Sequence, residues 1–404
     1  MSPELCVNAC FPPYPRFRRI RIGVVVAMYL FCAGVWAHGH DADADAPAPV
    51  FVPLEQAQSL EAVLDRMARY RVVIVGETHD RYDHHLNQLG VIRGLHERGV
   101  DLAVGLEFFQ RPFQESLDAY VAGRLDEASM LRATEYYRRW RFDYRLYRPI
   151  LAYAREQGIP LVALNMEREI TDAVSERGLT GLSEAQQGRL PKAMVRDAPG
   201  YRERLKAVFD QHPAAVKGDD EEAFERFLAV QLLWDETMAE TAARYLEAHS
   251  GRRMVILAGS GHVATGAGIP LRLQRRIAPD RALSVLQTDG GRFEPGDGDL
   301  LILSRERHLP PAGRLGIVMR DGEDGGVVVA DVREGSAADV AGLAEGDVLV
   351  RLADRPVRET VDVRLILQDR EPGERLSVRL RRPALFGGYN EETLMLTLGG
   401  ASHE

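Results

Sequence analysis

The apolar positions of this chain follow two rhythms. Short runs of aliphatic and β-branched residues stand at Val72–Val75, Leu102–Leu106, Leu161–Leu164, Met254–Ala258, Leu283–Leu286 and Leu300–Leu303. Stretches with apolar residues three and four apart lie between them, beginning with Leu54, Ala57, Leu60, Val63, Leu64 and Met67. A run that is apolar at every position has no face to offer water, so it predicts a strand covered on both sides. Such strands alternating with amphipathic helices predict an α/β fold, a parallel sheet flanked by helices. Between Leu164 and Met254 the helical period continues with almost no strand signal. Phe224, Phe227, Leu228, Leu232, Met238, Ala242 and Tyr245 fall on or near one face of Glu221–Ala248. This predicts a helical subdomain inserted into the α/β core.

The Gly- and Asp-rich loop Thr288–Gly298 leads through the last apolar run to Pro310-Pro311-Ala312-Gly313, which reads as a domain boundary. Beyond it come short strands with Gly turns at Gly316–Met319, Gly326–Val332, Asp347–Leu352, Arg375–Leu380 and Thr393–Leu398. Helical pieces at Ala337–Ala341 and Val361–Gln368 interrupt them, predicting a small, partly open β-barrel. At the other end, Arg16, Arg18, Arg19 and Arg21 precede an apolar core, Ile22–Phe31, and a small-residue site, Val35-Trp36-Ala37. This is the layout of a secretory signal peptide cleaved after Ala37, with an uncleaved anchor as the alternative. The expected organisation is a leader at 1–37, an Ala/Asp/Pro linker at 38–53, a first domain at 54–305, and a linker with a second domain at 306–404.

Composition narrows the chemistry. The chain has 404 residues, 45% of them hydrophobic and 27% charged, as expected of folded soluble domains. Its formal charge of -9 argues against nucleic acid as a partner, because phosphate-backbone binding needs a cationic face. Cys6, Cys10 and Cys32 all leave with the leader, and what remains holds 47 basic and 59 acidic residues, a net of -12. Without sulfur, disulfides, thiolate zinc sites and cysteine nucleophiles are excluded from the exported chain. Any metal must then be held by His, carboxylate, Tyr or Met.

The residues directly after the strands are the most informative feature. Val75 is followed by Gly76-Glu77-Thr78-His79, Leu106 by Glu107, Leu164 by Asn165, and Ala258 by Gly259-Ser260-Gly261-His262. The carboxyl ends of parallel strands lie along one edge, where open α/β sheets bind ligands, so Glu77, His79, Glu107 and His262 are expected to converge. Three chemistries stay open for them: N/O ligation of a divalent metal, general base and acid catalysis by a Glu and a His with Glu77 and Glu107 as the catalytic carboxylate candidates, and donation to an anionic ligand. A second feature is the dense run Tyr136-Tyr137-Arg138-Arg139-Trp140-Arg141-Phe142-Asp143-Tyr144-Arg145-Leu146-Tyr147-Arg148. Aromatics and arginines of this kind can sandwich haem, with Arg on the propionates and a Tyr oxygen on the iron. That makes Tyr136, Tyr137, Arg138, Trp140, Tyr144 and Tyr147 candidate cofactor-binding residues beside His79 and His262. The alternative is an Arg-rich helix turn with its aromatics facing the core. His84 and His85 are expected on a solvated helix face after the first strand, with support of the ligand site as the alternative.

Taken together, Gly76–His79, Leu106-Glu107, Trp140 with Tyr144 and Tyr147–Leu151, Pro160–Asn165, Trp234–Ala239 and Gly259–His262 resemble the ChaN-like haem-binding uptake family of the Tiki/TraB superfamily. The resemblance runs over about residues 54–305. It implies export across the inner membrane, haem bound at a homodimer interface through a tyrosine, and a role in iron acquisition. It does not assign which tyrosine. It also implies a distant relation to metal-dependent proteases and erythromycin esterases, which keeps a metal-dependent hydrolase open as the second reading. Members are often lipoproteins, whereas Phe31 stands before Cys32 here. Downstream, Arg314-Leu315-Gly316-Ile317, Val332–Ala338, Ala341–Leu349 and Pro372-Gly373-Glu374 resemble a PDZ domain of the periplasmic-protease type. That implies a peptide or protein C-terminus as partner, its carboxylate held by the amides of Leu315, Gly316 and Ile317. The expected location is the periplasm or the exterior.

Overall fold

The computed structural model describes residues 54–211, 220–288, 296–384 and 386–400. The expected leader, its cleavage site and the linker up to Pro53 lie outside the described residues. Six strands form the first sheet: β1 (Val72–Glu77), β2 (Leu102–Gln110), β3 (Leu161–Asn165), β4 (Arg253–Gly259), β5 (Ala282–Gln287) and β6 (Leu300–Ile302). Their spatial order is β3-β2-β4-β1-β5-β6 and every neighbouring pair is parallel. All six residues of β1 are buried, as an uninterrupted Val/Ile run requires. Helices cover both faces. One side packs Leu64, Val91, Ile92, Leu95 and Ile150 against the sheet, and the other packs Met238, Ala242, Leu246, Ile269 and Leu273.

The order of the strands positions the site. β4 inserts between β1 and β2, so three carboxyl ends that are far apart in sequence lie side by side. The register pairs Glu77 of β1 with Gly259 of β4 and Leu106 of β2 with Leu257 of β4. Between β3 and β4 the chain forms helices at Arg168–Arg177, Tyr201–Asp210 and Asp220–Ala248, the expected insert. Its own core, with Tyr201, Leu205, Phe209, Phe224 and Leu232, lies next to the sheet's end.

A second sheet follows, with β7 (Ile317–Asp321), β8 (Val327–Val332), β9 (Val348–Leu352), β10 (Arg355–Pro356), β11 (Arg375–Pro383) and β12 (Tyr389–Thr397), all antiparallel. The order β12-β11-β9-β8-β7 leaves β7 at an edge, while β10 pairs only with β9. Helices Ala337–Val340 and Thr360–Leu367 close this domain over Leu315, Val329, Leu349, Val363, Val378 and Leu396. Gly316 must be glycine: its φ is +82°, and a Cβ there would sit 2.3 Å from Ser336 Cβ.

Candidate functional site

The residues after β1, β2 and β4 meet at one place. Glu77 is 1% exposed, and His79, Glu107 and His262 are each 5% exposed. His79 points Nδ1 at Glu77 Oε1, 2.7 Å away. His262 points Nδ1 at Asp235 Oδ1, 2.6 Å away. In both rings a carboxylate thus fixes the orientation through Nδ1 and turns Nε2 the other way. His262 Nε2 lies 3.4 Å from Glu107 Oε1, and a Cβ on Gly259 would come within 3.1 Å of His79 Nε2 and 3.6 Å of Glu107 Oε2. Glu107 therefore stands between the two imidazoles, and its Oε2 accepts the Gly259 N–H at 2.5 Å. The Asn165 side chain donates to the Glu107 carbonyl at 3.0 Å, which anchors the end of β2.

Each histidine–carboxylate pair is backed by a buried tyrosine. Tyr201 donates its hydroxyl to Asp235 Oδ2 at 2.6 Å. The Tyr147 hydroxyl lies 3.5 Å from Glu77 Oε1 and 3.4 Å from the His79 carbonyl, and it accepts the Trp140 indole N–H at 3.2 Å. Sequence reasoning missed Asp235 as a partner of His262, although it lies in the family-like segment Trp234–Ala239. Nothing local marked Tyr201.

His84 and His85 do not form the solvated face expected of them; they are 0% and 1% exposed. His85 Nδ1 lies 2.8 Å from Glu77 Oε2 but hydrogen-bonds Gln88 Oε1 at 3.1 Å, and its Nε2 donates to the His79 carbonyl at 3.1 Å. His84 accepts the Thr78 N–H at Nδ1 and donates from Nε2 to the Thr288 carbonyl. The polar side of the helix that carries them, Tyr82–Glu97, faces the sheet end, where charged and carbonyl partners replace water.

These contacts set the charge of the site. Burial works to raise the Glu77 carboxyl, but His85 and His79 outweigh it and hold it well below the usual carboxylate range. Glu107 is lowered too: burial opposes, and His262, His79 and the Gly259 amide prevail. Burial works to lower His79 and His262, yet Glu77 raises the first, and Glu107 with Asp235 raises the second well above its ordinary value. His84, its burial dominant, is lowered and stays neutral.

The aromatic run divides between two roles. Trp140 and Phe142 are half-buried and hold His79 at ring-centroid distances of 4.8 and 4.9 Å. Trp234 stands edge-on to His262 at 6.1 Å. Arg138 and Arg141 are exposed nearby in sequence. Tyr136, Tyr144 and Tyr147 are core residues, and burial pushes their phenols well above the ordinary value. Tyr137 reaches the second domain, donating to Gln368 Oε1 at 2.9 Å.

A sequence model of the family described as "Haem-binding uptake, Tiki superfamily, ChaN" matches residues 63–273, just over half of the chain. The chain belongs to this family. A PDZ-domain model matches residues 313–398 of the same ChaN-family chain. The solved structure "Cofacial heme binding to ChaN of Campylobacter jejuni" shares its fold, with a TM-score of 0.50 and 17% identity over 61% of this chain and 92% of that one. "Protein RETICULATA-RELATED 5, chloroplastic" of Arabidopsis thaliana is 24% identical over 260 residues, which are 61% of this chain and 35% of that protein. "Probable periplasmic serine endoprotease DegP-like" of Rickettsia conorii is 32% identical over 81 residues, 17% of this chain and 16% of that one. The ChaN-family chain thus spans about a third of the first curated relative and a sixth of the second.

The residues present fit a haem by their chemistry. Imidazole nitrogen ligates haem iron, aromatic rings take the porphyrin face, and guanidinium pairs with propionate. His79 and His262 offer the first, Trp140, Phe142 and Trp234 the second, and Arg138 and Arg141 the third. Tyr136, Tyr144 and Tyr147 are 1%, 0% and 0% exposed and pack in the core beneath these rings. Among the described residues, no group of three or more His, Cys, Asp or Glu is placed to hold a metal ion directly.

In the PDZ domain Leu315, Gly316 and Ile317 line one end of an open groove of about 850 Å³, between β7 and the Thr360–Leu367 helix. Met319, Val363 and Leu367 line its apolar floor and wall.

Proposed function

We propose that this is an exported haem-binding protein of haem or iron acquisition, whose PDZ module holds a partner's C-terminus or an extended peptide. The observation that carries the haem reading is the pair of carboxylate-oriented histidines flanking Glu107 beneath Trp140, Phe142 and Trp234, in a chain of a haem-binding family. Haem supplies the iron for transport. The protein's part is to orient the imidazoles through Glu77 and Asp235, cover the porphyrin with its aromatic lip, and neutralise the propionates with Arg138 and Arg141. Export is supported by the leader pattern and by the family; among the described residues no helix is long and apolar enough to cross a membrane. The open edge of β7 beside Leu315–Ile317 supports peptide capture by strand addition. Titration of the purified protein with hemin should give a saturable Soret change at micromolar concentration. No saturable change would overturn the haem reading.

A second reading, a metal-dependent hydrolase, draws on one specific observation: Nδ1-anchored imidazoles with a carboxylate between them are the usual donors of catalytic metal sites. It requires Glu107 to release the Gly259 amide and Glu77 or Glu107 to serve as the base. Stoichiometric transition metal in the purified protein, with hydrolysis lost in Glu77→Gln, would support it. Metal-free protein with a harmless Glu77→Gln would remove it.

A further inference from the structure

The Thr360–Leu367 helix serves both domains. Its Val363, Arg364 and Leu367 line the peptide groove opposite β7. Its other side is built into the first domain, where Leu365 belongs to the apolar core and Val361 packs against it. Polar contacts fasten the same helix at both ends. Asp362 Oδ1 pairs with Arg132 at 2.5 Å, while its Oδ2 accepts the N–H groups of Arg358 and Glu359 and so caps the helix. Just past the last turn, Gln368 accepts from Tyr137 at 2.9 Å and donates to Glu127 Oε1 at 2.8 Å. Asp369 pairs with Arg148, which also binds Glu127 at 2.7 Å.

From Gln368 the contacts continue without a gap to the histidine site. The Tyr137 ring stands edge-on to Tyr136 at 5.3 Å. Tyr136 donates its hydroxyl to the Phe142 carbonyl at 3.2 Å and accepts the Trp140 amide at its own carbonyl at 2.7 Å. Phe142 and Trp140 are the two rings that hold His79. Close-packed interiors transmit displacement because they contain little space to absorb it.

We infer that the groove and the histidine site are coupled through this shared wall, so that a peptide in the groove changes ligand binding at His79. The inference rests on the proposed reading of the groove as a peptide site and of the histidine site as a ligand site. A strand added along β7 fills the space facing Val363 and Leu367. Any adjustment of the helix then moves Gln368, whose partners Tyr137 and Glu127 both belong to the first domain. Coupling of this kind is reciprocal: each ligand alters the other's affinity by the same factor.

The test uses the purified protein, hemin, and a mixture of dansylated hexapeptides ending in Val, Leu, Ile or Phe with a free carboxylate, with the amidated peptides as control. Trp140 emission is followed without hemin in the Trp234→Phe background of the leaderless protein, which gives a readout independent of haem, and the hemin and peptide affinities are measured with Trp234 in place. The expected results are a change in Trp140 emission on peptide saturation and a reciprocal shift of at least threefold in hemin and peptide affinities. Both should shrink to baseline in Gln368→Ala. Tyr137→Phe, which keeps the ring and removes only its hydrogen bond, should weaken both if Gln368→Ala fails to fold. Peptide and hemin binding with no mutual effect and silent Trp140 would overturn the coupling and leave the proposed function standing. If hemin fails to bind, a Trp140 response to peptide still upholds the coupling while the haem reading falls. Absence of carboxylate-dependent peptide binding would overturn the inference outright.

Discussion

At Gly259 there is no room for a side chain: a Cβ would lie 2.9 Å from His79 Cε1, and Trp140 and Phe142 pack against the same ring. Gly259→Ala should therefore cost about 1–3 kcal/mol, as overpacking does, and shift Trp140 emission. Urea unfolding and fluorescence check this, and a variant indistinguishable from wild type would show that the ring is seated elsewhere. Glu77, His79, Glu107 and His262 were legible in the sequence because each stands at or just past the end of an apolar run, and parallel strands end on one side. Asp235 and Tyr201 were not. The contact of Asp235 with His262, and of Tyr201 with Asp235, depends on how the 29-residue helix Asp220–Ala248 and its neighbour pack at the sheet end, and no local pattern encodes that. His84 and His85 were misread for a related reason. Counting histidine as polar predicts exposure, whereas an imidazole with a partner at each nitrogen can be fully buried.

Among the elements, β2 does the most to shape the site. Its pairing with β3 runs in register from Val104 to Leu106, then resumes only at Gln110 opposite Asn165. Three residues of β2 thus face one of β3, a bulge of the kind that re-aims side chains. It lets the Glu107 carboxylate cross to the Gly259 amide on β4. In Glu107→Ala that amide loses its acceptor, and its hydrogen exchange should speed up at least tenfold while the β1–β4 amides stay protected. Unchanged protection would show that the bulge does not serve this contact. The parallel strands themselves were readable, since runs such as Val72–Val75 cannot be satisfied except between two covered faces. The bulge was not, because Leu102–Gln110 is one continuous buried segment in which nothing marks a lapse of register. In the second domain the five longer strands were legible from their Gly turns, while the two-residue β10 is too short to carry a period.

The whole molecule should register the charge network as a pH profile. The folded values of Glu77 and Glu107 lie below the ordinary 4.5, so their stabilisation is complete above about that pH and is lost as pH falls through the folded values. His79, His85 and His262 lie above the ordinary 6.5, so theirs is complete below it and is lost as pH rises through the folded values. His84, lowered, works the other way but is outnumbered by the three raised histidines, so the Tm should be highest between about 4.5 and 6.5 and fall on both sides. The alkaline fall should be shallower in Asp235→Asn; a Tm that climbs from pH 6.5 to 9 would contradict the assignment. The charge network, the helix shared between two domains and the aromatic lip all bear on whether haem is held at the ends of β1, β2 and β4. Hemin affinity in the wild type, compared with that in a folded His79→Ala, His262→Ala double variant, decides the matter. Saturable micromolar binding weakened at least tenfold by the two substitutions is expected. Superimposable titrations would place haem elsewhere and contradict it.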